Sequence, residues 1–425
     1  MRVLILGGSG LIGTAVVAAL AGRGHGPTAF ARDVAAASLR MDSAEWVSVD
    51  LTTLSRPADW QKHLDGIDCV VNCAGALQDG GRDNLGTLQT SFLALYTAAA
   101  RPKPRLIVQI SARTEGAGKA TRFMQTKRDA DAALRESGLP FVILRPAIVI
   151  GRNAYGGSAL LRALAAFPFV TPLVNADTPM QLVAIEDVAE AVADAIDGRI
   201  APGSDLDLAE AETLTLAQAV ALHRRWLGLP PARQIAVPSF AARLVSRMAD
   251  GLGHLGWRSP LRSTAMTVAA AGVADHVPAA GRSFQPLSKI LSTPAGVQDL
   301  WFARLYLLKA PILAALSLFW LLSGLIALVR FDASAQHLVT AGACPATADA
   351  LTLATSLADI ALGIGVAFRR YAATALKGML LLSAAYLLSA TVLTPDLWAD
   401  PLGPLVKVLP SLALTLVALA ILDER

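Results

Sequence analysis

Residues 310–329 form a run of twenty without a single charge. As a helix rising 1.5 Å per residue, such a run covers about 30 Å, the hydrocarbon thickness of a bilayer. Three further apolar segments follow at about 350–368, 372–393 and 404–422, with one charge each: Asp359, Lys377 and Lys407. Four such segments joined by short links leave nothing polar to coat a soluble bundle. An all-α four-helix transmembrane bundle is therefore expected over residues 303–425. It accounts for the composition, since 54% of the 425 residues are hydrophobic and 16% charged, against about 25% charged in a typical soluble chain.

The flanking charges orient these spans. Arg304 and Lys309 precede the first, and Arg369, Arg370 and Lys377 gather at the link between the second and third. Arg330 and Lys407 fall on the other side, among Asp332, Asp349, Asp396 and Asp400. Basic residues favour the cytoplasmic side, so both termini and the N-terminal domain are expected inside, in the manner of a bacterial inner-membrane protein. Residues 1–6 are too short an apolar run for a signal peptide. Trp301, Phe302, Tyr306 and Tyr371 suit the inner interface, and Trp398 the outer one. Asp359 and Lys377 allow two readings. Antiparallel neighbours would bring them together as an ion pair, but an intramembrane carboxylate also marks proton or quinone sites.

Composition excludes several classes. Net charge is +4, yet Lys and Arg are scattered, with no dense run to neutralise a nucleic acid. Cys69, Cys73 and Cys344 imply no disulfide framework, and the Cys69–Cys73 spacing suits buried strand-end thiols rather than a zinc or redox pair. The six histidines form no ligand-spaced pair, so no metal is expected.

The first 300 residues read differently. Residues 1–6 are a short strand, followed by Gly7, Gly8, Ser9, Gly10, Leu11, Ile12 and Gly13 and then an Ala-rich helix. In this strand–turn–helix context, Gly7 permits the tight turn and Gly10 lets the backbone approach a pyrophosphate. Gly13 lets the helix pack on the strand, and the helix N-terminus faces the phosphate. A second strand, 28–31, ends in Arg32 and Asp33. Arg32 at this position favours the 2′-phosphate of NADP, whereas Asp33 turned inward would hold the ribose of NAD. A third strand, 46–49, ends in Asp50 and Leu51, placed to meet an adenine, although Asp50 also suits a plain turn. A fourth, 68–72, runs into Cys73, Ala74 and Gly75, small enough for the chain to pass beneath a cofactor.

These segments, together with 107–112, 123–127, 144–151 and 181–189, resemble the short-chain dehydrogenase/reductase superfamily in its extended or atypical branch, in order and spacing over residues 1–230. With the apolar tail, the whole chain is similar to bacterial proteins that fuse an NAD(P)-binding domain to a DoxX-like membrane domain. The soluble part is also similar to the NADPH-holding accessory subunit of respiratory complex I. The resemblance implies an α/β fold, a Rossmann-type doubly wound parallel sheet over 1–230. A small substrate lobe over 231–302 would follow and lead to the bundle. It also implies a catalytic Ser, Tyr and Lys. Ser111 and Lys127 match the first and last, with Lys127 doubling as a ribose ligand, and Pro146 lies near the cofactor. The Tyr position holds Phe123, which transfers no proton.

Tyr155 and Arg152 follow the sixth strand and are candidates to reach the pocket, Tyr155 suiting a lid or packing role as well. Glu186 and Asp187 open a helix, where acids stabilise the free N–H groups. Two functions from different classes remain open. One is a membrane-anchored, NADP(H)-preferring oxidoreductase or related enzyme acting on a quinone- or isoprenoid-like substrate. The other is a non-catalytic NADPH-binding or redox-sensing module of a membrane assembly. The expected partners are the lipid bilayer, a lipophilic small molecule, and a membrane protein under the second function.

Overall fold

The computed structural model describes residues 1–75, 79, 84–101, 104–113, 121–270, 276–277 and 281–423. The chain divides into two compact units. The first comprises Met1–Gly253 with Arg258–Ala303, and the second His254–Trp257 with Arg304–Arg425.

In the first unit, strands and helices alternate: β1 (Arg2–Leu6), α1 (Leu11–Gly22), β2 (Gly26–Ala31), α2 (Val34–Arg40), β3 (Glu45–Ser48), α3 (Pro57–Leu64), β4 (Cys69–Asn72), α4 (Leu85–Ala98), β5 (Leu106–Ile110), α5 (Arg122–Glu136) and β6 (Phe141–Pro146). These six strands and β11 (Ser204–Leu208) form one parallel sheet in the order β11-β6-β5-β4-β1-β2-β3. The order reverses between β1 and β4, the switch point of a doubly wound sheet. Side chains alternate between its faces. Val3 and Ile5 point into the core beneath α1 and α7 (Ile185–Ile196), and Leu4 and Leu6 into the core beneath α3, α4 and α5. Both faces are buried, which is why these strands read as unbroken apolar runs.

The segment 144–151 holds parts of two strands. β6 ends at Pro146, and β7 (Ile148–Ile150) leaves the main sheet to pair with β10 (Leu182–Ala184). Pro146 lacks the N–H that would continue the ladder. The chain turns there, with Ala147 N donating to Leu208 O at 2.9 Å. Between β7 and β13 (Arg233–Ala236) lie α6 (Gly157–Ala165), β8 (Val170–Leu173), β9 (Pro179–Met180), β12 (Leu214–Thr215) and α8 (Leu216–Trp226). A separate core joins Ile150, Leu161, Leu182, Val220, Leu287 and Ala303. The lobe expected at 231–302 thus draws its core largely from upstream, because the insertions after β6 and β11 bury their apolar faces on one another. Two helices follow β13: α9 (Ser239–His254) and α10 (Ser263–Ala270), then the short α11 (Leu287–Ile290).

The second unit is helical: the rest of α12 (Val297–Val329), then α13 (Phe331–Thr340), α14 (Pro345–Ala367), α15 (Ala372–Leu393) and α16 (Val408–Ala420). Helices α12, α14 and α15 are long and apolar enough to cross a membrane. The fourth apolar segment forms only the 13 helical residues of α16, about 20 Å long. Small residues let α12 and α14 meet closely: a Cβ on Gly363 would lie 2.8 Å from the Leu321 backbone nitrogen, and Ser317 donates to the Gly363 carbonyl at 2.8 Å. Lys309 Nζ and Arg369 both donate to the Leu422 carbonyl, at 2.9 and 3.3 Å. The start of the apolar run, the α14–α15 link and the end of α16 therefore share one end of the bundle. Trp257 lies there too, its indole N–H donating to the Ala367 carbonyl at 2.7 Å.

The expected pairing of Asp359 with Lys377 does not occur. Asp359 accepts from the Tyr386 hydroxyl at 2.9 Å and from Ser323 at 3.2 Å, while Lys377 is exposed. Helix phase is the reason. Leu376, Met379 and Ser383 define the buried face of α15, and Tyr386 continues that face while Lys377 points away from it.

Candidate functional site

The carboxyl ends of the parallel strands lie on one edge of the sheet, and the segments leaving them build the site. Gly7, with φ +70°, turns the chain out of β1, and a Cβ there would lie 3.0 Å from the Ala74 Cα beyond β4. A Cβ on Gly13 would come 2.8 Å from the Gly8 Cα, so glycine seats α1 on the turn. Gly10 is the N-cap of α1, without a side-chain acceptor. The first N–H groups of the helix are thus left to an anion, with Ser9 exposed and Leu11 and Ile12 half-buried beside them.

Arg32 is exposed at the end of β2. Asp33 caps α2 instead of turning toward the crevice, accepting from Ala36 N at 2.9 Å. Asp50 also acts as a cap: one carboxylate oxygen accepts from the Thr52 backbone N–H at 3.0 Å and hydroxyl at 2.8 Å. The Leu51 side chain packs into the core, leaving only its backbone at the strand end.

Beyond β4, Asn72 is fully buried. Its side-chain oxygen accepts from Ala74 N at 3.0 Å and its amide donates to Gln109 Oε1 at 2.9 Å, which also accepts from the Tyr96 hydroxyl at 3.2 Å. This network holds the Cys73-Ala74-Gly75 turn against β5. Burial pushes the Cys69 thiol up to about 11 and the Cys73 thiol up to about 12, so both stay protonated and unreactive.

Ser111 follows β5, and Lys127 reaches the carbonyl of the residue before it. Phe123 and Lys127 lie one turn apart on α5 and line a small cleft with Gly75, Leu85, Phe92 and Ala130. Lys127 Nζ donates to the Ile110 carbonyl at 2.9 Å and would be 3.3 Å from a Cβ on Gly75. Burial holds its ammonium below the ordinary lysine range, although Asp131 opposes this.

Sequence reasoning missed Asp131. It lies one turn beyond Lys127 on the same face of α5, 1% exposed, and the Ser111 hydroxyl donates to its Oδ2 at 2.7 Å. Arg145 reaches the same oxygen at 2.8 Å, pairs with Asp205 at 2.7 Å and donates to the Ala112 carbonyl at 2.6 Å. Burial pushes the Asp131 carboxyl above the usual carboxylate range, against the pull of Ser111 and Arg145. Its Oδ1 is buried without a hydrogen-bond partner among the described residues. The signal available in the sequence was position: residues 123, 127 and 131 recur at i, i+4 and i+8 on one helix face.

Other candidates are engaged elsewhere. Tyr155, 39% exposed ahead of α6, accepts from Arg258 through its hydroxyl at 3.3 Å. Arg152 pairs with Asp299 at 3.3 Å. Asp187 accepts from Gln285 N at 2.8 Å, tying a distant segment to α7, while the N-cap of α7 has no side-chain bond. Pro146 ends β6 at the sheet edge.

Comparison with known proteins agrees with this geometry. An NAD(P)H-binding family model matches residues 7–198, and the DoxX-like family matches residues 317–416. Among solved structures, a nucleoside-diphosphate-sugar epimerase from Staphylococcus aureus is 16% identical with a TM-score of 0.53. The match covers 68% of this chain and 99% of that one. A UDP-glucuronic acid 4-epimerase from Bacillus cereus, in complex with NAD, is 15% identical with a TM-score of 0.51, covering 72% and 100%. At such identities the likeness shows the fold alone. No curated protein matches. The chain joins an N-terminal NAD(P)-binding domain to a C-terminal DoxX-like domain. That match and, among the described residues, three helices of spanning length make it a membrane protein.

Proposed function

We propose that this NAD(P)-binding, DoxX-like chain is a membrane-anchored NADP(H)-dependent oxidoreductase acting on a lipophilic, quinone- or isoprenoid-like substrate. The observation that carries the proposal is the hydrogen bond from Ser111 to the buried acid Asp131, beside Lys127. It offers a proton path where Phe123 offers none.

The chain's residues fit the cofactor. The turn 7–13 would take the pyrophosphate, Arg32 the 2′-phosphate and Lys127 the nicotinamide ribose, with Asp50, Leu51, Cys73, Ala74, Gly75 and Pro146 around it. When bound, the nicotinamide supplies hydride transfer to a substrate carbonyl carbon. With Asp131 protonated, the 2.7 Å contact would reverse so that Asp131 donates to Ser111, which would give its own proton to the substrate oxygen and take the one from the Asp131 carboxyl. Arg145, 2.8 Å from that carboxyl, stabilises the carboxylate left behind, and Asp131 regains a proton from water between turnovers. General acid help of this kind is worth about 10²–10⁴-fold in rate. Phe123 and Phe92 give the adjoining cleft an apolar wall, which suits a substrate partitioned into lipid. The basic residues Arg304, Lys309, Arg369 and Arg370 favour the cytoplasmic side for both termini and for the NAD(P)-binding domain.

The test is oxidation of NADPH by the purified full chain in detergent, against a panel of quinones, isoprenoid aldehydes and ketones. Turnover that Ser111→Ala abolishes is the expected result. Cofactor that binds but stays reduced against the whole panel overturns it and favours the second reading, an NADPH-holding module, which Phe123 supports. Phe123→Tyr should leave cofactor affinity unchanged under either.

A further inference from the structure

Helix α9 carries an exposed apolar stripe. Phe240, Leu244, Met248 and Leu252 recur every four residues and are 68, 60, 64 and 38% exposed, and Val245 widens the stripe at 44%. On a period of 3.6 these five occupy one side of the helix. The other side is pinned: Ser246, Ala249 and Gly253 are buried. Gly253 is pressed against Arg262, whose Cζ would lie 2.5 Å from a Cβ there, and Arg262 pairs with Asp250 at 3.5 Å. The stripe is thus held outward by the packing of the opposite face. Arg243 and Arg247, both exposed and one turn apart, border it.

The chain leaving α9 indicates what covers the stripe. Residues His254–Trp257 belong to the helical unit. There the Leu255 carbonyl accepts from Arg369 N at 3.0 Å, and Lys309 and Arg369 each lie 5.7 Å from the Trp257 ring. A tryptophan among cations at the ends of apolar helices sits at headgroup level. Helix α9 therefore terminates within a few residues of the lipid–water boundary. An amphipathic helix tethered there, with a broad apolar face bordered by arginines, has the make-up of an interfacial helix.

We propose that α9 lies in the plane of the bilayer surface, its apolar stripe in the acyl boundary and Arg243 and Arg247 on anionic headgroups. The leaflet is the one that carries Lys309 and Arg369. The proposal rests on the membrane reading of the helical unit. It adds a second membrane contact, made by the NAD(P)-binding unit itself, which would hold that unit at the surface where a lipophilic substrate is concentrated.

The test uses the full chain in vesicles of phosphatidylcholine with phosphatidylglycerol, with the native cysteines replaced by serine. Spin labels are placed singly at residues 240, 244, 248 and 318. Leu318, 56% exposed in α12, reports the bundle. Labels on α9 should collide more with dissolved oxygen than with a water-soluble nickel chelate, as should the label at 318. A lipid-exposed label at 318 with water-exposed labels on α9 overturns the α9 proposal and leaves the membrane reading standing. A water-exposed label at 318 overturns the membrane reading itself. Labels on α9 shielded from both collision partners mean that protein covers the stripe, which also overturns the proposal. Phosphatidylglycerol should deepen the α9 labels, and the Arg243→Gln, Arg247→Gln pair should abolish that dependence. Equal depth with and without phosphatidylglycerol overturns the assignment to anionic headgroups.

Discussion

The Ser111 hydroxyl donates to Asp131 Oδ2 at 2.7 Å, and both side chains are almost wholly buried, at 5% and 1% exposure. Asp131 accepts from Arg145 on the same oxygen. A serine bonded in this way has an acid behind it, and the proposed reaction depends on that pair.

Replacing Asp131 with asparagine keeps a hydrogen-bond acceptor for Ser111 but removes the exchangeable proton. NADPH oxidation by Asp131→Asn should fall by about 10²-fold, with cofactor affinity within about twofold of the wild type. The pH–rate profile should lose the limb belonging to the carboxyl. Combined with Ser111→Ala, the loss should be far from additive, because the two groups act as one path. Stopped-flow kinetics across pH checks this, and an unchanged profile refutes the relay.

Arg32 is the exposed cation at the end of β2, where a 2′-phosphate would sit. Charge-assisted hydrogen bonds are worth about 1.5–3 kcal/mol. Arg32→Ala should therefore weaken NADPH binding by about tenfold to a hundredfold and leave NADH binding nearly unchanged. Titration of the two cofactors by calorimetry measures the ratio. Equal losses for both would remove the basis for an NADP preference.

Cys344 is exposed at the start of α14, while Cys69 is buried and the Cys73 thiol is pushed up to about 12. It serves as a native reporter of sidedness. With the Arg369 end of the bundle in the cytoplasm, a membrane-impermeant maleimide should label Cys344 from outside intact cells. Labelling that requires permeabilisation reverses the proposed topology.

His223 is fully buried on α8, its Nδ1–H donating to the Ala219 carbonyl at 2.8 Å. Burial lowers its pKa from 6.5 to about 4. The unfolded chain therefore binds the proton more readily than the folded one. The associated stability is present above pH 6.5 and is lost as pH falls through that window, to the extent of roughly 3 kcal/mol. Intrinsic-fluorescence melts of the full chain in detergent should show this acid limb, and His223→Gln should flatten it.

Much of the molecule is legible from local pattern. A charge-free run of twenty residues has few homes other than a membrane. A short β strand running through Gly7, Gly10 and Gly13 into a helix has few folds other than a nucleotide-binding one. In both, the constraint lies within a few consecutive residues. The roles offered for Ser111 and Lys127, and the replacement of a tyrosine by Phe123, come instead from the resemblance to the short-chain dehydrogenase/reductase superfamily.

Tertiary structure decided what those residues touch. Asp33 and Asp50 carry the right charge for a ribose or an adenine, yet both spend hydrogen-bonding capacity on backbone N–H groups three and two residues ahead. Asp359 and Lys377 carry opposite charges on adjacent helices, but helix phase gives Asp359 to Tyr386. Asp131 looked like one more charge on a polar helix until α5 packed on the sheet and brought it to Ser111, twenty residues away. The sequence by itself determines the first strand, the glycine turn and the spanning length of α12, α14 and α15, because those follow from hydrophobic period and backbone sterics over short distances. Only the tertiary structure sets the partner of each buried polar group, because that depends on the register and rotation of elements brought together from distant parts of the chain.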